Sequence, residues 1–281
     1  YLFVVDRAQR LAGVLSLRAL VVADPGRCIA EIMDRQVISV HTGTDQEECA
    51  RLMQRYDLLA LPVVDDTGKL VGVITHDDLV DVLQQEATED LQRFGGAQPL
   101  GRPYLSVGIL ASAGKRVGWL LLLFVTEMFT GTVLRHFEHL LDAVVALSFF
   151  VPLLIGTGGN AGTQTTSTVI RAVALGEIRL RDGLRVLGHE LGTGILLGLV
   201  MAAVAYVRAL TWGTTPHIGI AVGLSIAAIV IWANCVGALL PLIATRLRID
   251  PTVVSGPFMS TLVDATGLFL YFTIAGRILG F

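Results

Sequence analysis

One carboxylate, Asp264, lies deep inside the last long apolar stretch of a chain of 281 residues. An ionised side chain near the middle of a bilayer costs a few kcal/mol at least, so it belongs where it lines a water-filled path or meets a cation. Gly256, Ser260 and Asp264 recur every four residues, which puts them on one helical face. Pro257 has no N–H and is expected to leave the carbonyl of Val253 without its helical partner. A carboxylate, a hydroxyl and a freed carbonyl on one face are the oxygen ligands that suit a hard cation such as Mg2+. The competing reading is an aspartate hydrogen-bonded to a neighbouring helix.

The elements that must position this face follow from composition. The chain is 53% hydrophobic, with a mean hydropathy of +0.67, which sets it apart from ordinary soluble proteins. Residues 1–90 hold 16 acids against 8 Lys and Arg, and the remainder holds 8 against 13. An acidic arm thus precedes an apolar, mildly basic domain, a balance that argues against nucleic acid as a partner, since a nucleic-acid backbone calls for an extended basic surface. Cys28, Cys49 and Cys235 are scattered, without a CxxC pair, so they read as small core residues rather than zinc ligands or a disulfide framework. After a Gly/Pro-bearing connector at about 94–103, five apolar runs at roughly 117–135, 140–170, 186–208, 218–245 and 252–279 are each long enough to span a membrane. With the arm inside, Lys115, Arg116, Arg171, Arg179, Arg181, Arg185, Arg246 and Arg248 fall on the inner side. Arg135, Arg208 and Arg277 fall outside. That excess predicts a cytosolic N-terminus and an extracytosolic C-terminus.

The second span carries Gly156, Gly158, Gly159 and Gly162 within seven residues, each weakening a helix by about 1 kcal/mol relative to alanine. Asn160, Gln164 and Ser167 add a polar stripe at i, i+4 and i+7. This combination reads as a pore wall, and alternatively as tight helix packing through small residues. Glu127, in the middle of the first span, is expected either near the ion path or hydrogen-bonded to a neighbouring helix. His189 and Glu190 read as interfacial, Asn234 as an interhelical bond, and Asp250 before Pro251 as the N-cap of the fifth helix.

The acidic arm contains an internal repeat. Leu2 to Ser16 aligns without gaps on Leu61 to Thr75 at an offset of 59 residues, each copy reading strand, turn, strand, then a helix opened by Ser16 or Thr75. Only the second copy has its front half: Ile29–Met33, a strand-like Val37–Val40, and a helix from about Asp45 to Tyr56. The chain opens inside the first copy, so that copy is expected to lack its front half. These residues resemble cystathionine-β-synthase (CBS) domains, which pair and often bind adenosine nucleotides. The second copy keeps the family's ribose- and phosphate-holding end as Gly72-Val-Ile-Thr75-His-Asp-Asp78, so the resemblance assigns nucleotide contacts to Thr75 and Asp78. In the first copy Ala19 replaces the expected aspartate and cannot accept a hydrogen bond from a ribose. ATP is therefore a doubtful ligand.

With the GTGGNxGxQ stretch at 156–164 and the DPxxxSGPxxxTxxDxxG segment at 250–267, nearly the whole chain resembles the MgtE family of magnesium channels and transporters. The resemblance implies an α-helical polytopic membrane domain of five transmembrane helices, a homodimer with a pore on its twofold axis, preceded by an α/β CBS region. It divides the chain into residues 1–24 (end of the first CBS domain), 25–88 (second CBS domain), 89–114 (connecting helix) and 115–281 (membrane domain). The family's usual N-terminal helical domain is not in this sequence. On this resemblance the pore carboxylate falls on Asp264, and Gly156, Gly159, Asn160, Ser167, Gly256 and Ser260 are expected to line the pore. Some relatives have Asn where Gly256 stands, so one side-chain contact is missing. The family's cytosolic magnesium-sensing acids fall on Asp45, Glu47, Asp57, Asp78, Asp81, Glu86, Glu89 and Asp90; by composition alone the acids near residues 77–90 also read as a solvated face. The implied function is passive inward flux of hydrated Mg2+ across the plasma (inner) membrane, gated by cytosolic Mg2+. The alternative is a proton- or sodium-coupled carrier of Mg2+, Co2+ or Mn2+. The sequence has no P-loop and no aspartyl-phosphate motif, and no enzymatic step is implied.

Overall fold

The computed structural model describes residues 1–281 and divides into two compact units, Tyr1–Thr88 and Glu89–Phe281. In the first, β1 (Leu2–Val5) and β2 (Leu11–Leu15) form an antiparallel hairpin, followed by α1 (Leu17–Val22) and α2 (Ile29–Ile32). Then come β3 (Val40–His41), α3 (Gln46–Arg55), β4 (Ala60–Val64) and β5 (Leu70–Thr75), with the sheet order β3-β4-β5. Strand β4 runs parallel to β3 and antiparallel to β5. The repeat is reproduced down to single hydrogen bonds. Asp6 Oδ1 accepts from the N–H groups of Ala8 (2.8 Å) and Arg10 (2.9 Å). Fifty-nine positions later Asp65 Oδ1 accepts from Thr67 (2.8 Å) and Lys69 (2.9 Å). Both hairpins also carry a register shift at equivalent valines, Val4/Val5 and Val63/Val64. The extended segment expected at Val37–Val40 shrinks to the two residues of β3. Val40, Cys49, Met53, Leu61 and Leu79 form the core of this unit. Of the other cysteines, Cys28 is exposed and Cys235 half-buried, so only Cys49 fits the core role expected of all three.

Helix α4 (His76–Phe94) begins in the first unit and ends in the second. The second unit continues with α5 (Ile109–His136), α6 (Glu138–Ala143), α7 (Val151–Ala174), α8 (Gly183–Thr211), α9 (Pro216–Arg246) and α10 (Gly256–Leu279). Five of these helices, of 24 to 31 residues, are apolar enough to cross a membrane. At 1.5 Å per residue they measure about 36–46 Å, against a hydrocarbon core of about 30 Å. The second crossing starts later than the apolar run predicts. A short helix and a 3-10 turn precede Val151, and Pro152 occupies the first turn of α7, where its missing N–H removes no bond.

Helix α9 is the axis of the bundle, and its small residues set how closely the neighbours approach. A methyl group placed on Gly237 would stand 2.8 Å from the carbonyl oxygen of Gly162 in α7, and one on Gly198 of α8 would stand 3.0 Å from the carbonyl of Ala227. Such close backbone approach is how membrane helices gain packing energy without a hydrophobic drive between them. Helix α10 is tied to the segment before α7 by Tyr271, whose hydroxyl donates to the Leu147 carbonyl at 2.9 Å. Helix α5 is the least covered: Thr130 is its one buried residue.

Candidate functional site

The two faces of α7 differ in what they meet. Gly158, Gly159, Gly162, Thr165, Thr166 and Val169 are buried, while Gly156, Asn160, Gln164 and Ser167 are exposed. The buried glycines seat α10: a methyl on Gly159 would stand 2.9 Å from Ser260 Oγ, and one on Gly162 2.7 Å from Met259 Cε. Thr163 Oγ1 donates to the Gly256 carbonyl at 3.4 Å. Ser260 and Asp264 of α10 are half-buried beside the open stripe of α7, and the Asp264 carboxylate has neither a hydrogen bond nor an ion pair. Its one charged neighbour is Glu127 of α5, an exposed carboxylate within electrostatic reach. Glu127 forms no helix–helix hydrogen bond, so of the two roles open to it the structure favours proximity to Asp264.

Two expectations about this region change, and two of the glycines assigned to the pore are enclosed within the chain. Gly159 and Gly256 do not face an open surface: Ser260 covers one, and Thr163 and Phe94 cover the other. Both are packing glycines within the chain, and Gly156, Asn160, Ser167 and Ser260 keep some exposure. Pro257 frees no carbonyl, because α10 begins only at Gly256 and the Val253 oxygen accepts from Ser255 N at 2.8 Å. Asp250 caps the short 3-10 turn Pro251–Val253, accepting from Thr252 N at 2.9 Å, while Ser255 caps α10 through Phe258 N at 3.3 Å.

Asp250 also accepts an ion pair from Arg93, which joins the end of α4 to the approach to α10 across 157 residues of chain. Burial pushes the Asp250 carboxyl up, but the Thr252 hydroxyl and N–H and the Arg93 guanidinium outweigh it and hold the group below the usual carboxylate range. Next to this pair Phe94 packs within 3.7 Å of the position a Gly256 side chain would take, and Trp119 Nε1 donates to Ser255 Oγ at 3.2 Å. Gly96, at φ +74°, turns the chain so closely over Trp119 that a methyl there would stand 2.6 Å from the indole. No side chain fits both that conformation and that gap.

Two polar contacts escaped sequence reasoning. Asn234 does make the expected interhelical bond, and its partner is Thr165 Oγ1 of α7. Thr165 also reaches Glu190 Oε2 at 3.4 Å, so Glu190 points inward while its neighbour His189 stays exposed. Pro241 lies inside α9 and cannot donate to the Gly237 carbonyl four residues back; Thr166 Oγ1 of α7 takes that carbonyl at 3.3 Å. A proline inside an apolar span is the sequence signal that marks such an oxygen.

The proposed sensing acids are spread along the arm and α4. Asp45 caps α3 through Glu47 N (2.9 Å), Asp57 sits at φ +50°, and Glu86 accepts from Gln46. Asp78 and Asp81 lie on α4, and Glu89 pairs with Arg93 at 3.3 Å, with Asp90 beside it. The two nucleotide candidates bond each other: Asp78 Oδ2 accepts from Thr75 N at 3.0 Å and contacts its hydroxyl at 2.8 Å. No group of three or more His, Cys, Asp or Glu side chains converges within the chain to hold a metal ion.

An α/β arm followed by a bundle of five long apolar helices, with an unpartnered carboxylate and an open polar stripe on adjacent helices, defines a CBS-bearing polytopic membrane protein. Residues 151–274 match the family model MgtE, described as a divalent cation transporter, and residues 29–85 match the CBS domain model. The chain is thus similar over nearly its whole length to members of the MgtE family, and residues 151–274 carry that family's domain. It is 48% identical to the magnesium transporter MgtE of Thermus thermophilus over 99% of this chain and 62% of that protein. The magnesium transporter MgtE of Bacillus subtilis is 36% identical over 98% of this chain and 60% of its own length. The chain thus spans about three fifths of these curated relatives. A solved structure, the cytosolic domain of the Mg2+ channel MgtE in complex with ATP, is 60% identical over 28% of this chain and 32% of that one, with a TM-score of 0.28.

Proposed function

We propose that two copies of this chain pair about a twofold axis and conduct hydrated Mg2+ between their α7 and α10 helices. The observation that carries this reading is the Asp264 carboxylate, uncompensated inside a membrane helix that packs on α7, whose Asn160 and Ser167 are exposed. Such polarity is stable in a bilayer when it faces water or an ion rather than lipid. A second copy would turn the open stripe inward and place two Asp264 carboxylates across the axis, matching the double charge of the cation. Mg2+ gives up its inner waters reluctantly, so the contacts run through those waters to Asp264, Ser260 and Asn160. Binding of this indirect kind is weak enough to let the ion leave. The test is Mg2+ flux into vesicles containing the chain, with Asp264→Ala beside it; undiminished flux in the variant rejects the pore.

A second reading rests on Glu127. A carboxylate with a second carboxylate within electrostatic reach takes up a proton more readily, as a proton-coupled carrier requires. In that case the vesicle lumen changes pH in step with metal flux, whereas a channel leaves it unchanged.

We further propose that the acidic arm gates the path, with the N-terminus cytosolic as the loop charges indicate. In a dimer the carboxylates of α4 repel one another until cations bridge them, so cytosolic Mg2+ shifts the population towards the compact, closed arrangement. Oxygen sites of this kind are weak, and the response belongs near millimolar Mg2+. Replacing Asp57, Asp78, Asp81, Glu86, Glu89 and Asp90 by Asn or Gln should abolish the Mg2+-dependent protease protection of residues 85–110. Persistent protection in that variant leaves the cluster as a solvated face. The Thr75–Asp78 pairing and Ala19 weigh against a nucleotide as the gating ligand.

A further inference from the structure

Between the end of α7 and the start of α8 lies a cavity of about 630 Å³. Arg179, Arg181 and Arg185 line it, and none of the three guanidinium groups takes part in an ion pair. The carboxylates that share the lining are differently engaged. Asp182 accepts from the Arg179 N–H at 3.0 Å, and Glu190 contacts His189 Nδ1 at 3.1 Å and Thr165 at 3.4 Å; Glu177 stays on the exposed loop. Uncompensated guanidinium groups present planar donor forks that match a phosphate. The opposite wall is apolar: Val169, Ile178 and Val186 pack there with Leu242.

The surroundings decide which phosphate. Leu175, Leu180 and Leu184 are 52%, 49% and 87% exposed, interleaved with the arginines at the ends of two membrane-crossing helices. Leucines so placed are wetted in water but are at ease against acyl chains, with arginines at headgroup level. We propose that this cavity binds the phosphodiester headgroup of an anionic phospholipid, its acyl chains lying along the uncovered apolar surface of α8. Basic pockets between membrane helices are suited to such headgroups.

The proposal is tested by native mass spectrometry of the full chain in mild detergent with phosphatidylglycerol, phosphatidylcholine of the same acyl chains, and inorganic phosphate. Phosphatidylglycerol should be retained preferentially, and each of Arg179→Gln, Arg181→Gln and Arg185→Gln should weaken it about fivefold. The triple variant should lose the preference between the lipids; if it does not fold, the three single variants carry the test. Equal retention of both lipids by the parent chain overturns the proposal, as does unchanged affinity in the variants. Displacement of the lipid by inorganic phosphate at equal concentration also overturns it, by making the cavity a free-anion site. Arg246→Gln with Arg248→Gln, outside the cavity, should leave retention unchanged; an equal loss there means diffuse surface attraction and overturns it too.

Discussion

Both the inward and the outward face of α7 carry polar side chains, yet they are treated in opposite ways. On the inward face Thr165 bonds Asn234 and Thr166 takes the carbonyl that Pro241 leaves free. On the outward face Asn160 and Ser167 remain exposed, and on the adjacent α10 Asp264 has no hydrogen bond or ion pair and only the Glu127 carboxylate within electrostatic reach. Polarity closed off by partners within the chain holds helices together; polarity left open awaits water, an ion or a second copy. Composition alone cannot separate the two, because both faces carry glycines and uncharged polar side chains.

The sharpest way to break this comparison is to mutate one side and read both function and stability. Asp264→Ala removes a charge with no partner in the chain, so folding stability should change little while Mg2+ flux drops at least about tenfold, the loss expected for one charged contact of 1.5 kcal/mol or more. A large loss of stability instead would move Asp264 to the structural class. The converse test is Gly237→Val. Its Cβ would stand 2.8 Å from the Gly162 carbonyl, a backbone atom that cannot swing aside. Overpacking of that kind costs about 1–3 kcal/mol. A lower thermal midpoint in detergent, with flux falling only in proportion to folded protein, is the expected outcome.

Much of this was legible in the sequence, for identifiable reasons. The 59-residue repeat was visible because hairpin turns demand an aspartate at a fixed place, and Asp6 and Asp65 do form the same turn. The spans were visible because a bilayer demands long apolar runs. The start of α10 was misread because Asp250-Pro251 and Ser255-Gly256-Pro257 are both plausible helix openings. Only the three-dimensional path decides that the first caps a 3-10 turn and the second the helix. Gly159 and Gly256 were assigned to the pore by resemblance to the family, and for Gly256 the four-residue spacing to Ser260 and Asp264 agreed with it; spacing says which residues share a face of one helix. It does not say whether a neighbouring helix already covers that face.

The smallest expected effect concerns the contact from α4 to the approach to α10. Asp250 is held below the usual carboxylate range by Thr252 and Arg93, against the opposing effect of burial. A carboxyl whose folded pKa is depressed contributes stability that is fully present above its unfolded value, about 3.9. It loses that contribution as pH falls through the lower folded value. The window therefore lies below about pH 4, and nothing should change between pH 5 and 8. The protection of the backbone amides of residues 89–96, measured as hydrogen exchange corrected for its intrinsic pH dependence, should fall on acidification below that point. With Arg93→Gln the carboxyl keeps its Thr252 bonds but loses the cation, so exchange should be faster at neutral pH and its acid dependence shallower. An unchanged acid dependence in that variant would mean that Thr252 alone holds Asp250 ionised, and that α4 is kept in place by Phe94 against Gly256 rather than by charge.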